Sequence, residues 1–208
     1  MSLKNKKLIL IICLIFFVLL IFSVTINYKP LLSFDKSAQT FSSTLHSPLL
    51  DQTMLSVTKI GNTYESLLIF IVFAFFIISK RRKYPFYFFT IVTALGTLLP
   101  ELLKNLIERA RPISNILIET GYSFPSGHAT ISTVFFFSSI FIISPHIKNN
   151  FSKITFITCT SIIFPLVAIS RVYLSVHWIS DVLGGILLGS ICYILTSIFC
   201  CHKKENML

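Results

Sequence analysis

Residues 154–200 read ITFITCTSIIFPLVAISRVYLSVHWISDVLGGILLGSICYILTSIFC. Two long apolar runs flank one polar break. The first run covers about Ile154 to Leu174, and the second about Trp178 to Cys200. A helix crosses a bilayer with roughly 20 mostly apolar residues, so each run is a membrane span. The break holds Arg171, His177 and Asp181. An ionisable group near a bilayer centre costs roughly 2.5–3.5 kcal/mol on insertion scales, so three of them at one membrane hairpin imply a use.

Earlier in the chain lie four more runs: about Leu8 to Ile26, Glu65 to Ser79, Tyr84 to Ile107 and Thr130 to Ser144. The second and fourth spans have short apolar cores. Their flanking polar residues must sit in the interface or inside the bundle. The expected fold class is all-α, a polytopic membrane protein with six transmembrane helices. Composition agrees: 54% of residues are apolar and 12% charged, against about 25% charged in soluble domains. The length of 208 residues suits a single membrane domain over 1–208, with no separate soluble domain. Lys4, Lys6 and Lys7 before the first run suggest a secretory signal. The run is longer than the usual 7–15-residue signal core and no small-x-small site follows, so it is read as retained.

The net charge is +10. The excess sits in short clusters between apolar runs, which points to topology and not to nucleic acid. With the N-terminus inside, inner segments hold eleven cations: Lys4, Lys6, Lys7, Lys80, Arg81, Arg82, Lys83, Lys148, Lys153, Lys203 and Lys204. The outer side holds seven: Lys29, Lys36, Lys59, Lys104, Arg109, Arg111 and Arg171. Inner loops carry the Lys and Arg excess, so both termini are expected in the cytoplasm. Cys13, Cys159 and Cys192 lie in apolar runs and read as small buried hydrophobes. Cys200 and Cys201 could be a lipidated pair, but packing is the simpler reading.

Residues 28–61 are not a span. Phe34, Ala38, Phe41 and Leu45 recur at helical spacing, as do Leu50, Met54 and Val57. Ser47-Pro48 suits an N-cap and a first helical position. Two short amphipathic helices on the outer surface are expected, covering the site, touching lipid or simply packed.

Polar residues form three clusters. In KNLIERARP, Lys104, Glu108 and Arg111 follow i, i+4, i+7 spacing, and Pro112 ends the helix nearby. Lys104 and Arg111 make a cationic patch suited to phosphate; alternatively they pair with Glu101 and Glu108 at the interface. In FPSGHAT, Pro125, Ser126 and Gly127 open a helix whose free N–H groups can bind an anion. His128 stands within a turn of it, as a proton donor or as a structural histidine. In SRVYLSVHWISD, His177 and Asp181 are four apart, with Gly185 and Gly189 continuing the face for close packing. A carboxylate on one ring nitrogen frees the other to attack; an interfacial His–Asp pair beside Trp178 is the plainer alternative. Under the topology above, all three clusters meet at the outer surface, which independent accidents would not arrange.

Lys104, six residues, Arg111-Pro112; Pro125-Ser126-Gly127-His128; and Ser170-Arg171, five residues, His177, three residues, Asp181: these resemble the three-part signature of the type 2 phosphatidic acid phosphatase superfamily. Its soluble relatives include vanadium haloperoxidases and bacterial acid phosphatases. The signature covers residues 104–181, and the six-span layout extends the likeness over most of the chain. The resemblance implies that Lys104, Arg111 and Arg171 bind the phosphate oxygens, helped by Ser126 and the Gly127 backbone. His177 would form a phosphohistidine, with Asp181 orienting it and His128 protonating the leaving oxygen. Neither a metal nor another cofactor is implied. The partners would be a lipid phosphate or diphosphate and the bilayer, in a cell membrane, probed from the outer face. Compact loops resemble bacterial members, which favours phosphatidylglycerol phosphate or undecaprenyl diphosphate over phosphatidic acid or a lipid A phosphate. Halide oxidation is disfavoured by the six spans. A lipid-headgroup binding or transport protein is disfavoured because the polar residues gather at one end.

Overall fold

The computed structural model describes residues 2–79 and 83–205, apart from the side chains of Thr63, Ser79 and 201–205. Lys80, Arg81 and Arg82, and the side chains of Cys201, Lys203 and Lys204, therefore lie outside the described residues. The helices are α1 (Leu3–Thr25), α2 (Lys29–Ser43), α3 (Pro48–Thr58), α4 (Thr63–Ser79), α5 (Lys83–Ile107), α6 (Gly127–Ile143), α7 (Asn150–Tyr173) and α8 (Ile179–Glu205). No strand occurs among the described residues. Of the described residues, α1, α5, α6, α7 and α8 are long and apolar enough to span a membrane by themselves. The sixth expected span is α4, shorter at 17 residues, as its short apolar core foretold.

Apolar side chains point outward here. Leu8, Ile11, Phe16 and Phe22 of α1 are exposed, as are Ile154, Ile162 and Ile169 of α7. Lipid is as apolar as leucine, so a membrane helix gains nothing by hiding these residues. The central helix α6, packed on α5, α7 and α8, instead buries Thr130, Ser132, Thr133 and Ser139. Their hydroxyls bond back to carbonyls of their own helix, as Thr130 does to Ser126 at 2.9 Å and Thr133 to Ala129 at 2.8 Å. No hydroxyl among these four needs a lipid partner. Cys192 is buried as expected, whereas Cys159 is exposed on α7, the face that the same lipid logic turns outward.

Gly185 and Gly189 fix how α8 meets α6. A Cβ on Gly185 would come within 2.5 Å of the Ser126 carbonyl oxygen, and one on Gly189 within 2.7 Å of that of Thr130. Only glycine permits this approach. Toward the other end of the bundle, Phe88, Phe89 and Phe135 form a buried cluster, with Phe70 and Phe73 stacked on Phe89 at 5.4 and 5.2 Å.

The 28–61 segment forms two helices, with the Ser47 side chain capping α3. The orientation of α2 is inverted relative to a soluble amphipathic helix. Phe34 and Phe41 of α2 are exposed, while Asp35 and Ser42 are buried against α7 and α8. Met54 of α3 packs with Tyr173 and Leu174. Because α1 leads directly into α2, the first residues of α1 and the last of α8 both lie at the bundle end away from the α7–α8 turn.

Candidate active site

The α7–α8 turn presents His177. Helix α7 ends at Tyr173, and Ser175 takes a left-handed conformation with φ of 56°. That reversal lets the N–H groups of Val176 and His177 both donate to the Arg171 carbonyl, at 3.2 and 3.3 Å. The His177 side chain is buried. Its Nε2 lies 3.2 Å from an Arg111 guanidinium nitrogen. Its Nδ1 faces Asp181 Oδ2 at 3.5 Å, beyond hydrogen-bond length. His177 precedes α8, so the pair is not a helical i, i+4 stack; the tight turn brings the ring back over Asp181. Burial first, and then the charges of Arg171 and Arg111, holds the His177 pKa well below the ordinary imidazole range.

The cationic groups converge on the same space, but not along one helix face. Helix α5 stops at Ile107, and Glu108 adopts φ of 53° as it closes the end, its N–H donating to Lys104 at 2.9 Å. Residues 108–112 then run irregularly, because Pro112 disfavours helix at Arg111. Glu108 is thereby turned away from a shared stripe. Lys104 stays on α5, paired with Glu101 at 2.6 Å. Arg111 arrives from the loop, donating to the carbonyls of Gly121 at 3.1 Å and Val176 at 2.8 Å. Arg171 is fully buried and donates to Thr58 Oγ1 at 2.6 Å.

Helix α6 supplies the rest. Ser126 is its N-cap, with a fully buried hydroxyl that accepts from the Ala129 N–H at 3.4 Å. Gly127 and His128 open into the cleft instead. His128 Nε2 meets Asn62 Oδ1 at 2.9 Å, and a Cβ on Gly61 would strike the same ring at 2.6 Å.

Several of these groups line a groove of about 660 Å³. Lys104, Glu119, Gly127, His128 and His177 form its polar end, and Leu67, Phe70, Ala94 and Ile131 continue it between α4, α5 and α6. Glu119 was not anticipated from the sequence. Its carboxylate is ion-paired to Arg171, and to Arg111 at 3.1 Å. Burial raises the Glu119 pKa, but Arg171 and Arg111 outweigh it and hold the group below the ordinary carboxylate range. Arg109 and Asp35 were likewise missed as site residues. Arg109 pairs with both Asp181 and Asp35. The available signal was scarcity: with only eight acidic residues in the chain, each one beside an apolar run needs a partner. Asn62 and Thr58 carried no such signal.

The arrangement holds a cluster of cations suited to an oxyanion, a helix start, and two histidines in one groove. The family model described as the PAP2 superfamily matches residues 85–205. Phosphatidylglycerophosphatase B of Bacillus subtilis (strain 168) is 28% identical over 188 residues, covering 89% of this chain and 92% of that protein. Dolichyldiphosphatase of Saccharomyces cerevisiae is 30% identical over 146 residues, covering 62% and 59%. The crystal structure of a transmembrane PAP2-type phosphatidylglycerolphosphate phosphatase from Bacillus subtilis superposes with a TM-score of 0.81 at 26% identity, over 96% of this chain and 97% of that one. Aquifex aeolicus LpxE shares the fold, with a TM-score of 0.57 at 22% identity over 76% and 92%.

Proposed function

The chain belongs to the PAP2 superfamily and is a multi-pass membrane lipid phosphate phosphatase; from that premise we propose that it acts through a phosphohistidine on His177, and that its substrate is phosphatidylglycerol phosphate or undecaprenyl diphosphate. The observation that carries the mechanism is the division of the His177 ring: Nε2 faces the cationic cluster and Nδ1 faces Asp181. The relative named as a phosphatidylglycerophosphatase favours the first substrate, and the one named as a dolichyldiphosphatase favours a polyprenyl diphosphate.

The chemistry balances with the residues present. A lipid enters along the apolar part of the groove and places its phosphate among Lys104, Arg111, Arg171 and the Gly127 N–H. The phosphate displaces the Glu119 carboxylate, which stands between the two arginines. His177 Nε2 attacks phosphorus, the bond to the leaving oxygen breaks, and His128 donates a proton to that oxygen. Water then attacks the phosphohistidine, His128 takes its proton, and inorganic phosphate leaves. The cations and the N–H stabilise charge that builds on the equatorial oxygens. Asp181 holds the ring and offsets the positive charge that the ring gains when the N–P bond forms. Ser126 acts indirectly, by building the helix start. We infer the outer face for this chemistry from the excess of Lys and Arg in the expected inner segments of the sequence, since inner loops favour those residues.

Phosphate release by the purified protein from a panel of the four lipid phosphates tests the assignment. The expected result is preferential cleavage of phosphatidylglycerol phosphate or undecaprenyl diphosphate, and none by His177→Ala. Faster cleavage of phosphatidic acid or a lipid A phosphate would overturn the substrate reading.

A further inference from the structure

Two buried charges outside the groove end on Asp181. Asp35 lies on α2 and is 1% exposed. Its Oδ2 pairs with Arg109 at 2.5 Å and accepts from the Ser180 hydroxyl at 2.7 Å; its Oδ1 accepts from the Ser180 N–H at 3.0 Å. The other end of the same guanidinium pairs with Asp181 Oδ1 and donates to the Ser180 hydroxyl at 2.7 Å. Asp181 Oδ2 accepts from the Trp178 N–H at 2.9 Å and is the oxygen that faces His177.

We propose that Arg109 and Asp35 are positioning residues for phosphoryl transfer, acting on His177 through Asp181. This rests on the reading of Asp181 as the partner of the nucleophile. The Asp181 carboxylate has two oxygens, and each is committed. Arg109 holds Oδ1, so the group cannot rotate and Oδ2 stays toward Nδ1. A carboxylate that rotated freely would orient the ring in only a fraction of molecules, and orientation is what the partner of a nucleophilic histidine supplies.

Asp35 has a separate part. An arginine paired with Asp181 alone would make a neutral pair and leave little negative charge for the ring. Two carboxylates sharing one guanidinium carry a net charge of −1. That charge sits one carboxylate away from His177, where it favours the cationic ring of the phosphoenzyme. Buried charge clusters of this kind are costly to break and add no obvious stability over apolar packing. A functional reason for keeping one is therefore expected.

The simpler role would be to pin α2 onto α8. The two are separated with the full-length enzyme in detergent, phosphatidylglycerol phosphate in mixed micelles as substrate, and inorganic phosphate as competitive inhibitor. Asp35→Asn keeps the acceptor for the Ser180 N–H and replaces the charged oxygen facing Arg109 with an amide nitrogen. Arg109→Lys keeps the charge and removes the fork. Positioning predicts a kcat lower by about tenfold or more in each, with KM and the inhibition constant of phosphate within about twofold of wild type. A kcat within about twofold of wild type in Asp35→Asn overturns the proposal, as does a parallel loss of kcat and phosphate binding, which marks a purely structural role. His177→Ala is run alongside: if it stays active the underlying mechanism fails, and if it is dead while Asp35→Asn is normal only the positioning proposal fails.

Discussion

The Glu119 carboxylate is ion-paired to the Arg171 guanidinium, and its second oxygen reaches Arg111 at 3.1 Å. An anion of the protein therefore occupies the two arginines proposed to hold the substrate phosphate. Glu119→Gln removes the competing charge. Inorganic phosphate should then inhibit more tightly, by about fivefold, equivalent to about 1 kcal/mol of relieved competition. A competitive inhibition assay reads this; unchanged or weaker inhibition would show that Glu119 does not compete with phosphate.

His128 is assigned to the leaving oxygen, and substrates with different leaving groups isolate that step. His128→Ala should lower kcat/KM, which reports the transfer to His177 and not the later attack of water, by roughly 10²–10⁴-fold on a lipid phosphate, the usual worth of general acid catalysis. It should lose far less on p-nitrophenyl phosphate, whose leaving group departs without a proton. Equal losses on both substrates would remove His128 from the proton transfer.

Burial of the His177 ring, and then the charges of Arg171 and Arg111, hold its pKa well below the ordinary value. The sign follows directly. A depressed pKa keeps the ring neutral as pH falls past the usual imidazole range, so the unliganded enzyme retains its nucleophile at pH values where a free histidine would be protonated. Nitrogen NMR of histidine-labelled protein should show a neutral ring at about pH 6 whose signal is absent from His177→Ala. A His177 ring titrating at or above about 6.5 would contradict the electrostatic account.

Helix packing sets the geometry of the turn. Gly189→Ala places a methyl 2.7 Å from the Thr130 carbonyl oxygen and 2.8 Å from Thr133 Cβ. These neighbours are backbone and a stiff β-branched residue, so α8 must shift. The variant should be destabilised by about 1–3 kcal/mol, with a lower unfolding temperature in detergent and reduced activity. A wild-type unfolding temperature would mean that the two helices separate freely.

Charge stabilisation is ascribed to Lys104, Arg111 and Arg171, so activity should survive incubation with EDTA. Loss of activity that a divalent ion restores would show that these cations do not suffice.

The fold was legible because membrane spans are read from length and apolarity alone, and all six expected spans fall on helices whose bounds lie within five residues of those expected. The signature residues were legible because charges in an apolar chain are conspicuous. What escaped was anything set by the path of the loops. The i, i+4, i+7 spacing of Lys104, Glu108 and Arg111 looked helical, yet Glu108 turns left-handed one residue after α5 ends. The apolar stripe of α2 was visible, with lipid contact as one of three readings; choosing among them depends on what surrounds the helix. Asp35 and Arg109 meet across 74 residues of sequence, and no local pattern reports such a pairing.

The central claim is the covalent bond to His177. Rapid quenching of the enzyme with lipid phosphate carrying a radioactive terminal phosphate tests it most directly, followed by proteolysis and peptide mapping. The account predicts a label that is stable in alkali, lost in acid and carried by the peptide containing His177, and no label in His177→Ala. Label on any other peptide, or turnover by His177→Ala without label, would contradict it.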